Sequence, residues 1–382
     1  MVPHGRASGT LAPSGAPPPM PASSDTPTGP APLALAAGLA RGVHPTASEV
    51  EALVAGVLDG TVPLDDFGTF LVALADAGET TAEIAGVAAA LRTRMVRVPH
   101  RRSLVADTCG TGGDGSGTFN ISTAAAIVAA GAGLAVAKHG NRAVSSRTGS
   151  ADVLERLGVR VDAPPATAAD CLAEIGLCFC LAPVHHPAVA RVGALRRSLG
   201  RPTVFNLVGP LMNPAGANVQ VIGVGRADVR RAMASAAMQG GARRVLVVSA
   251  PLDASGSRSL DEVSLFGPTD VIDVGPGGMT ESRVRPEDFG LPTRPIEEMT
   301  ALDAAGPEES AEAIRAILSG EVGPRREVVV LNAAAVLYAA DLASTLPAAR
   351  ALAEASIDSG RAAATLAALA ARSQAVPDGV RT

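Results

Sequence analysis

The stretch Asp107-Thr-Cys-Gly-Thr-Gly-Gly-Asp-Gly-Ser-Gly-Thr-Phe-Asn-Ile-Ser-Thr123 constrains this chain more than any other. It follows a short apolar run at 104–107 and precedes a helical Ala/Ile/Val segment that reaches about residue 130. Strand, glycine loop and helix in that order make one unit of a parallel sheet, because a helical crossover returns the chain to begin the next parallel strand. The run at 135–138 is the next strand, and runs at 159–161, 178–182, 219–224, 245–249 and 328–331 continue the count. Helices are expected from Pro187 to about Leu199, where Gly200 closes the segment, and over 227–238.

The part before this loop reads differently. From 33 to 97, Ala, Leu and Val recur at helical spacing without strand signals, and Thr46-x-x-Glu49 forms a capping box, with Gly60 and Gly78 as helix stops. The expected fold class is therefore α/β, a small all-helical domain plus a larger α/β domain with a mainly parallel central sheet. The helical domain covers 33–102, with the 187–207 helical segment packing near it, and the α/β domain takes 103–186 and 208–372. Residues 1–32, crowded with Pro, Ala, Gly, Ser and Thr, lack the apolar core of a signal peptide and read as a disordered tail; 373–382 read as a flexible one.

Composition narrows the partners. A net charge of −5 and 2% aromatic residues supply neither a basic stripe nor stacking platforms, so nucleic acid is not an expected partner. The longest apolar stretch, 123–137, is broken by Gly131 and Gly133 and is shorter than the roughly 18 residues of a membrane span. Cys109, Cys171, Cys178 and Cys180 form no C-x-x-C pair and behave as small hydrophobes, which suits a reducing, cytoplasmic setting. Of 32 cationic side chains every one except Lys138 is Arg, which points to a need for a compact ammonium at that position.

Five glycines in the first loop let backbone N–H groups turn toward one point, and the helix beginning near Asn120 adds the positive end of its dipole. Phosphate is the natural ligand of such a loop. There is no Gly-Lys-Ser/Thr ending, so it is not a nucleotide-triphosphate loop. Gly110-x-Gly112-x-x-Gly115 matches the dinucleotide fingerprint literally, yet the second strand ends in Lys138 where that fingerprint wants an acid. A second polar loop, Lys138-His139-Gly140-Asn141-Arg142-Ala143-Val144-Ser145-Ser146, also stands at a strand's end, with Ser150 at the following helix. Ligands of open parallel sheets sit off the carboxyl ends of the strands, so both loops should face one crevice. No His-Glu-x-x-His or Gly-x-Ser-x-Gly motif occurs, so zinc and serine-nucleophile chemistry have no support.

Gly-Thr-Gly-Gly-Asp at 110–114 with Asn-x-Ser-Thr at 120–123, Lys-His-Gly-Asn-Arg-Ala-Val-Ser at 138–145, His-Pro at 186–187, Gly-Pro-Leu-x-Asn-Pro at 209–214 and Asp-Glu-Val-Ser at 261–264 resemble the anthranilate phosphoribosyltransferases of tryptophan biosynthesis. The motifs run in order across about 35–370. The resemblance implies a pentosyltransferase of nucleoside-phosphorylase-like fold, a Mg²⁺-dependent homodimer that moves phosphoribose from 5-phosphoribosyl 1-diphosphate to the anthranilate amine and releases diphosphate. Displacement at the anomeric carbon through a cationic sugar is the expected chemistry.

Carried over position by position, the resemblance implies that Gly110, Gly113, Asp114, Thr118, Asn120, Ile121, Ser122 and Thr123 surround the donor, together with 138–146 and Ser150. It implies one Mg²⁺ on Ser122 and Glu262 and a second on Asp261 and Glu262. For the acceptor it implies Arg196 at the carboxylate and Gly110 with Asn141 at the amine, walled by His139, His186, Gly209 and Pro210. His139 is also the candidate late proton acceptor. Leu53, Val57, Phe67, Leu71 and Leu74 of the helical domain are the expected dimer surface. Two residues depart from the family pattern near the acceptor pocket, Met212 in place of Thr and Leu181 in place of an aromatic, and both bear on acceptor fit.

Overall fold

The computed structural model describes residues 1, 3, 31–143, 147–253 and 258–375. Four helices come first: α1 (Pro32–Leu39), α2 (Ala47–Asp59), α3 (Leu64–Ala77) and α4 (Thr81–Arg92). Thr46 and Glu49 close their capping box, the Thr46 N–H donating to Glu49 Oε2 at 2.8 Å, and Gly60 ends α2 at φ 86°. Then β1 (Ala106–Gly110), α5 (Ile121–Gly131), β2 (Val136–Gly140), α6 (Ser150–Arg156), α7 (Pro165–Glu174) and β3 (Leu177–Leu181) alternate as a parallel sheet requires. Short helices α8 (Ala182–His185), α9 (Ala190–Leu199) and α10 (Val204–Leu207) and the 3₁₀ turn Gly209–Met212 lead to β4 (Val219–Gly223). Next come α11 (Arg230–Gln239), β5 (Arg244–Pro251), β6 (Ser259–Leu260), β7 (Thr269–Gly275) and β8 (Gly278–Val284). Four helices finish the described chain: α12 (Pro307–Leu318), α13 (Pro324–Ala339), α14 (Leu346–Asp358) and α15 (Arg361–Ser373).

The sheet order is β3-β2-β1-β4-β5-β7-β8, with β6 beside β5. Pairing is parallel from β3 through β5 and antiparallel for β6, β7 and β8. Alternate residues of a strand leave opposite faces, and the core divides accordingly. Ile222, Val245, Val247, Ile272 and Val274 pack with the helical domain and α11, whereas Val221, Leu246, Val248 and Val271 pack with α5 and the C-terminal helices. α9 and α10 lie on the helical bundle: Phe205 meets Phe67 edge-on at 6.2 Å, and a Cβ on Gly68 would touch Leu195 at 3.0 Å.

Several expectations need correction. Residues 328–331 are not a strand but the interior of α13; the run is buried on every side, which hides helical periodicity, and Pro324 supplies the helix start. Residues 159–161 form a buried turn after α6. β1 begins and ends later than 104–107, so Asp107 lies inside the strand and Gly110 at its tip. The antiparallel β7–β8 hairpin adds two strands that the expected strand count lacks. Leu53, Val57, Phe67, Leu71 and Leu74 are at most 1% exposed within this one chain and cannot be a partner surface. The expected C-terminal tail starts too early, since Ser373 is buried in α15 and accepts a hydrogen bond from the Arg160 N–H at 2.9 Å. Pro32 already belongs to α1, while most of 1–30 and all of 376–382 lie outside the described residues. Among the described residues no helix is long and apolar enough to cross a membrane.

Candidate active site

The crevice forms off the carboxyl ends of β1, β2 and β4. The first loop is shaped by Gly112, Gly113, Gly115 and Gly117, all at φ between 67° and 79°, a region that L side chains rarely enter. Thr111 N–H donates to the Gly223 carbonyl at 2.8 Å and Gly112 N–H to Asp261 Oδ2 at 3.0 Å, so the loop folds back on β4 and on the acidic pair. Gly110 has no alternative: a Cβ there would lie 2.3 Å from Asp261 Oδ2. Asp114 Oδ1 accepts from the Ser116 N–H and hydroxyl at 3.0 Å each, and the Asp261 N–H donates to Asp114 Oδ2 at 3.5 Å. Gly113 is exposed, and Thr118 bridges to Asp303. Asn120 precedes α5 and accepts on its side-chain oxygen from Thr148 at 2.6 Å and Ser310 at 3.0 Å.

Ser122 lies in the first turn of α5, where its N–H donates to Glu262 Oε1 at 3.0 Å. Lys138, 4% exposed, donates from Nζ to the Thr108 carbonyl at 2.6 Å and reaches Ser122 Oγ at 3.5 Å. Thr123 is buried with no partner for its hydroxyl among the described residues. Ile121 has its side chain in the core and its N–H on the Phe119 carbonyl at 2.7 Å, so its side chain does not face the crevice. The backbone just after Asp261 and Glu262 is tied to Asn332, which accepts from the Val263 N–H at 2.9 Å and donates to the Val263 carbonyl at 3.0 Å. Burial, then the charge of Asp114, pushes Asp261 up to about 7; burial and the charge of Asp261 push Glu262 well above the usual carboxylate range. Cys109 lines the same small cavity, yet burial raises its thiol to about 12, so it is no nucleophile.

Period-two alternation sorts the site into two halves. Thr108 and Lys138 face α5, and Thr108 Oγ1 donates to the Ser122 carbonyl at 2.8 Å. Asp107 and His139 serve the opposite half, with the turn at 209–213. The His139 N–H donates to Asp107 Oδ1 at 3.3 Å, and Asn213 Nδ2 donates to Asp107 Oδ2 at 2.8 Å. A carbonyl only accepts, so the 3.1 Å contact of His139 Nδ1 with the Gly209 oxygen fixes the proton on Nδ1, leaving Nε2 as a buried acceptor with no partner among the described residues. Burial lowers His139 to about 3 and His186 to about 4, and their rings lie 5.1 Å apart as neutral walls. A Cβ on Gly209 would meet nothing within 4 Å, so that glycine borders open space, while Pro210 is buried behind it.

Arg196, in the last turn of α9, stacks over Phe205 at 5.2 Å and has no carboxylate partner among the described residues; burial lowers its pKa. Arg191 and Arg197 of the same helix are exposed. Arg142 is different from what its motif suggests, since its guanidinium grips Glu155 with two bonds of 2.6 Å and Asp152 at 3.3 Å. Asn141 and Ala143 are exposed, Ala143 donating its N–H to Asp152 Oδ2 at 2.8 Å. Gly140 allows Ser150 to approach, for a Cβ would lie 2.0 Å from Ser150 Oγ. Val144, Ser145 and Ser146 lie outside the described residues. Sequence reading missed Asp107, Asn213 and Asn332 as supports of the site; the first two stood in the quoted motifs, but Asn332 carries no local signal.

A fold with a helical bundle beside a mainly parallel sheet, and a glycine loop, lysine and carboxylates at the strand ends, defines a phosphate-binding α/β transferase. Residues 102–363 match the α/β domain of the glycosyl transferase family, and 35–95 match the helical bundle domain of that family. An anthranilate phosphoribosyltransferase of Symbiobacterium thermophilum is 46% identical over 86% of this chain and 94% of its own. One from Chloroflexus aurantiacus is 48% identical over 83% and 91%. The solved anthranilate phosphoribosyltransferase of Thermus thermophilus superposes with a TM-score of 0.80 at 40% identity, covering 89% of this chain and 99% of the other. The Saccharomyces cerevisiae enzyme in complex with PRPP and Mg gives 0.79 at 26% identity, covering 90% and 98%. The chain belongs to the anthranilate phosphoribosyltransferase family.

Proposed function

We propose that this chain transfers phosphoribose from 5-phosphoribosyl 1-diphosphate to the amine of anthranilate, giving N-(5-phosphoribosyl)anthranilate and diphosphate, the second step from chorismate to tryptophan. The observation that carries the reading is the division of the crevice: a cationic, N–H-rich half at α5 and Lys138, and a neutral, apolar half at His139, His186 and Pro210. The donor carries phosphates, and the acceptor is an aromatic ring with one carboxylate.

The α5 N-terminus, the glycine-loop amides and Lys138 bind the donor's phosphates. Ser150 joins this half, and Val144, Ser145 and Ser146, outside the described residues, are proposed as donor contacts from their motif alone; Arg142 acts through the loop it braces on Glu155. Asp261 and Glu262, beside Ser122, fit a hard divalent cation: like charges share a confined space that Gly110 leaves open, and all donors are oxygen. Among the described residues no three acidic, His or Cys groups cluster to hold an ion unaided, which suits Mg²⁺ that also leans on substrate phosphates. Ser122 with Glu262, and Asp261 with Glu262, are the residues for two such ions. Bound Mg²⁺ would neutralise charge building on the departing diphosphate.

Arg196 pairs with the anthranilate carboxylate, its lack of an acidic partner leaving the guanidinium available. Asn141, the Gly110 backbone and the bare Nε2 of His139 orient the amine. An aryl amine is already neutral near pH 7, and His139 held at about 3 serves as a hydrogen-bond acceptor rather than as an obligatory base. The enzyme acts as a homodimer through the helical domain, on the open apolar pocket of about 740 Å³ that Leu39, Val72, Ala73, Leu195 and Leu199 line. Incubation with both substrates, followed by mass analysis, should yield phosphoribosylanthranilate. Ribose 5-phosphate with unconsumed anthranilate would instead mean that water takes the phosphoribosyl group and that anthranilate is not the acceptor.

A further inference from the structure

The turn at 209–213 is gripped by side chains from four different elements. His139 of β2 holds the Gly209 carbonyl at 3.1 Å. Gln220 of β4, 4% exposed, donates from Nε2 to the Pro210 carbonyl at 2.7 Å. Arg92, the last residue of α4, donates from Nε to the Leu211 carbonyl at 2.7 Å. Asp107 of β1, the register partner of Gln220, accepts from Asn213 at 2.8 Å.

Three consecutive carbonyls of one short turn are thus met by side chains rather than left to solvent, which exceeds what a 3₁₀ turn needs to form. Arg92 reaches the turn from the helical domain across the end of α11. A Cβ on Gly240, the residue after that helix, would lie 2.2 Å from the guanidinium, so Gly240 keeps the passage open. Gly240 itself sits at φ −76°, where alanine is unstrained.

We propose that Arg92 and Gln220 are positioning residues for the acceptor: by fixing the Leu211 and Pro210 carbonyls they set where the Gly209–Pro210 wall stands against the anthranilate ring. Neither residue touches the donor half, so the effect is confined to one substrate. The inference rests on the reading that this turn walls the acceptor pocket.

Steady-state kinetics of the full chain with anthranilate and 5-phosphoribosyl 1-diphosphate test it. Gln220→Met and Arg92→Met should each raise the anthranilate KM about 5- to 30-fold, the scale of one lost buried hydrogen bond, with the donor KM within about two-fold of wild type. Arg92→Lys, which keeps a donor at that place, should recover most of the loss. Gly240→Ala alters no group in the turn or the crevice, yet should reproduce part of the Arg92→Met shift by displacing the guanidinium; it carries the test if a core variant fails to fold. Equal rises in both KM values, or an unchanged anthranilate KM in folded variants, would overturn the proposal. Wild-type protein that consumes no anthranilate would overturn the functional reading beneath it, before any variant is made.

Discussion

Lys138 and His139 are neighbours on β2 and leave it on opposite faces, Lys138 Nζ 2.6 Å from the Thr108 carbonyl oxygen and His139 Nδ1 3.1 Å from that of Gly209. One strand end therefore serves both halves of the crevice, and under the proposed function the register of β2 would fix donor and acceptor relative to each other. A one-residue slip would exchange a buried ammonium for a neutral ring in both halves at once.

Lys138→Arg is expected to lower turnover by about 10²-fold or more, because the planar guanidinium cannot occupy the compact space between Thr108 and Ser122. Initial rates at saturating anthranilate measure this. Wild-type kinetics would leave the single lysine of the chain without a chemical reason.

The neutral state of His139 has a signature in stability. Its folded pKa, about 3, lies below the ordinary value of 6.5, so its contribution is full above pH 6.5 and is lost as pH falls, when the unfolded chain takes up the proton first. Asp107, raised to about 6 by burial, titrates in the opposite sense and is least stabilising above that pH. The difference between wild type and His139→Gln isolates the imidazole: urea unfolding from pH 7 to 5 should show wild type losing up to about 1.4 kcal/mol per pH unit more than the variant.

Arg196→Ala should cost about 1.5 to 3 kcal/mol in kcat/KM for anthranilate, roughly 10- to 150-fold, while leaving the donor dependence near wild type. A variant weakened only toward 5-phosphoribosyl 1-diphosphate would place the acceptor carboxylate elsewhere.

Much of this arrangement is written locally. The glycine loop, the capping box at Thr46 and the α/β alternation follow from residue spacing, and the structure keeps them. Residues 328–331 read as a strand because a fully buried apolar run has no polar face to mark its period. The β7–β8 hairpin was legible, since Thr269–Gly275 alternates and Pro276-Gly277 separates it from the next strand, but β8 is largely polar and exposed and gave a weak signal. Arg142 reads as a phosphate ligand from its motif, whereas its partner Glu155 is 13 residues away and comes into reach only when α6 folds. Arg92 and Gln220 are invisible for the same reason: their partners at 211 and 210 are distant in sequence and are backbone atoms.

The acidic pair gives a metal-linked prediction. Asp261 is raised from 3.8 to about 7, so without a bound cation its cost to folding builds as pH rises from 3.8 to about 7 and is constant above that. Asp261→Asn should therefore stabilise the metal-free protein at pH 8, on the order of 1 to 2 kcal/mol after allowing for partial exposure, and confer little only once pH falls below about 4. The same variant should lose most of the Tm gain that wild type shows with Mg²⁺ plus 5-phosphoribosyl 1-diphosphate.

The proposed function requires the two halves of the crevice to bind a phosphorylated donor and an aromatic acceptor for one transfer. Anthranilate loss and diphosphate release, followed in the same tube with and without Mg²⁺, test it most directly. Equimolar, Mg²⁺-dependent change in both is the predicted result. Diphosphate release that proceeds unaltered when anthranilate is omitted, or anthranilate that persists while the donor is consumed, would contradict it.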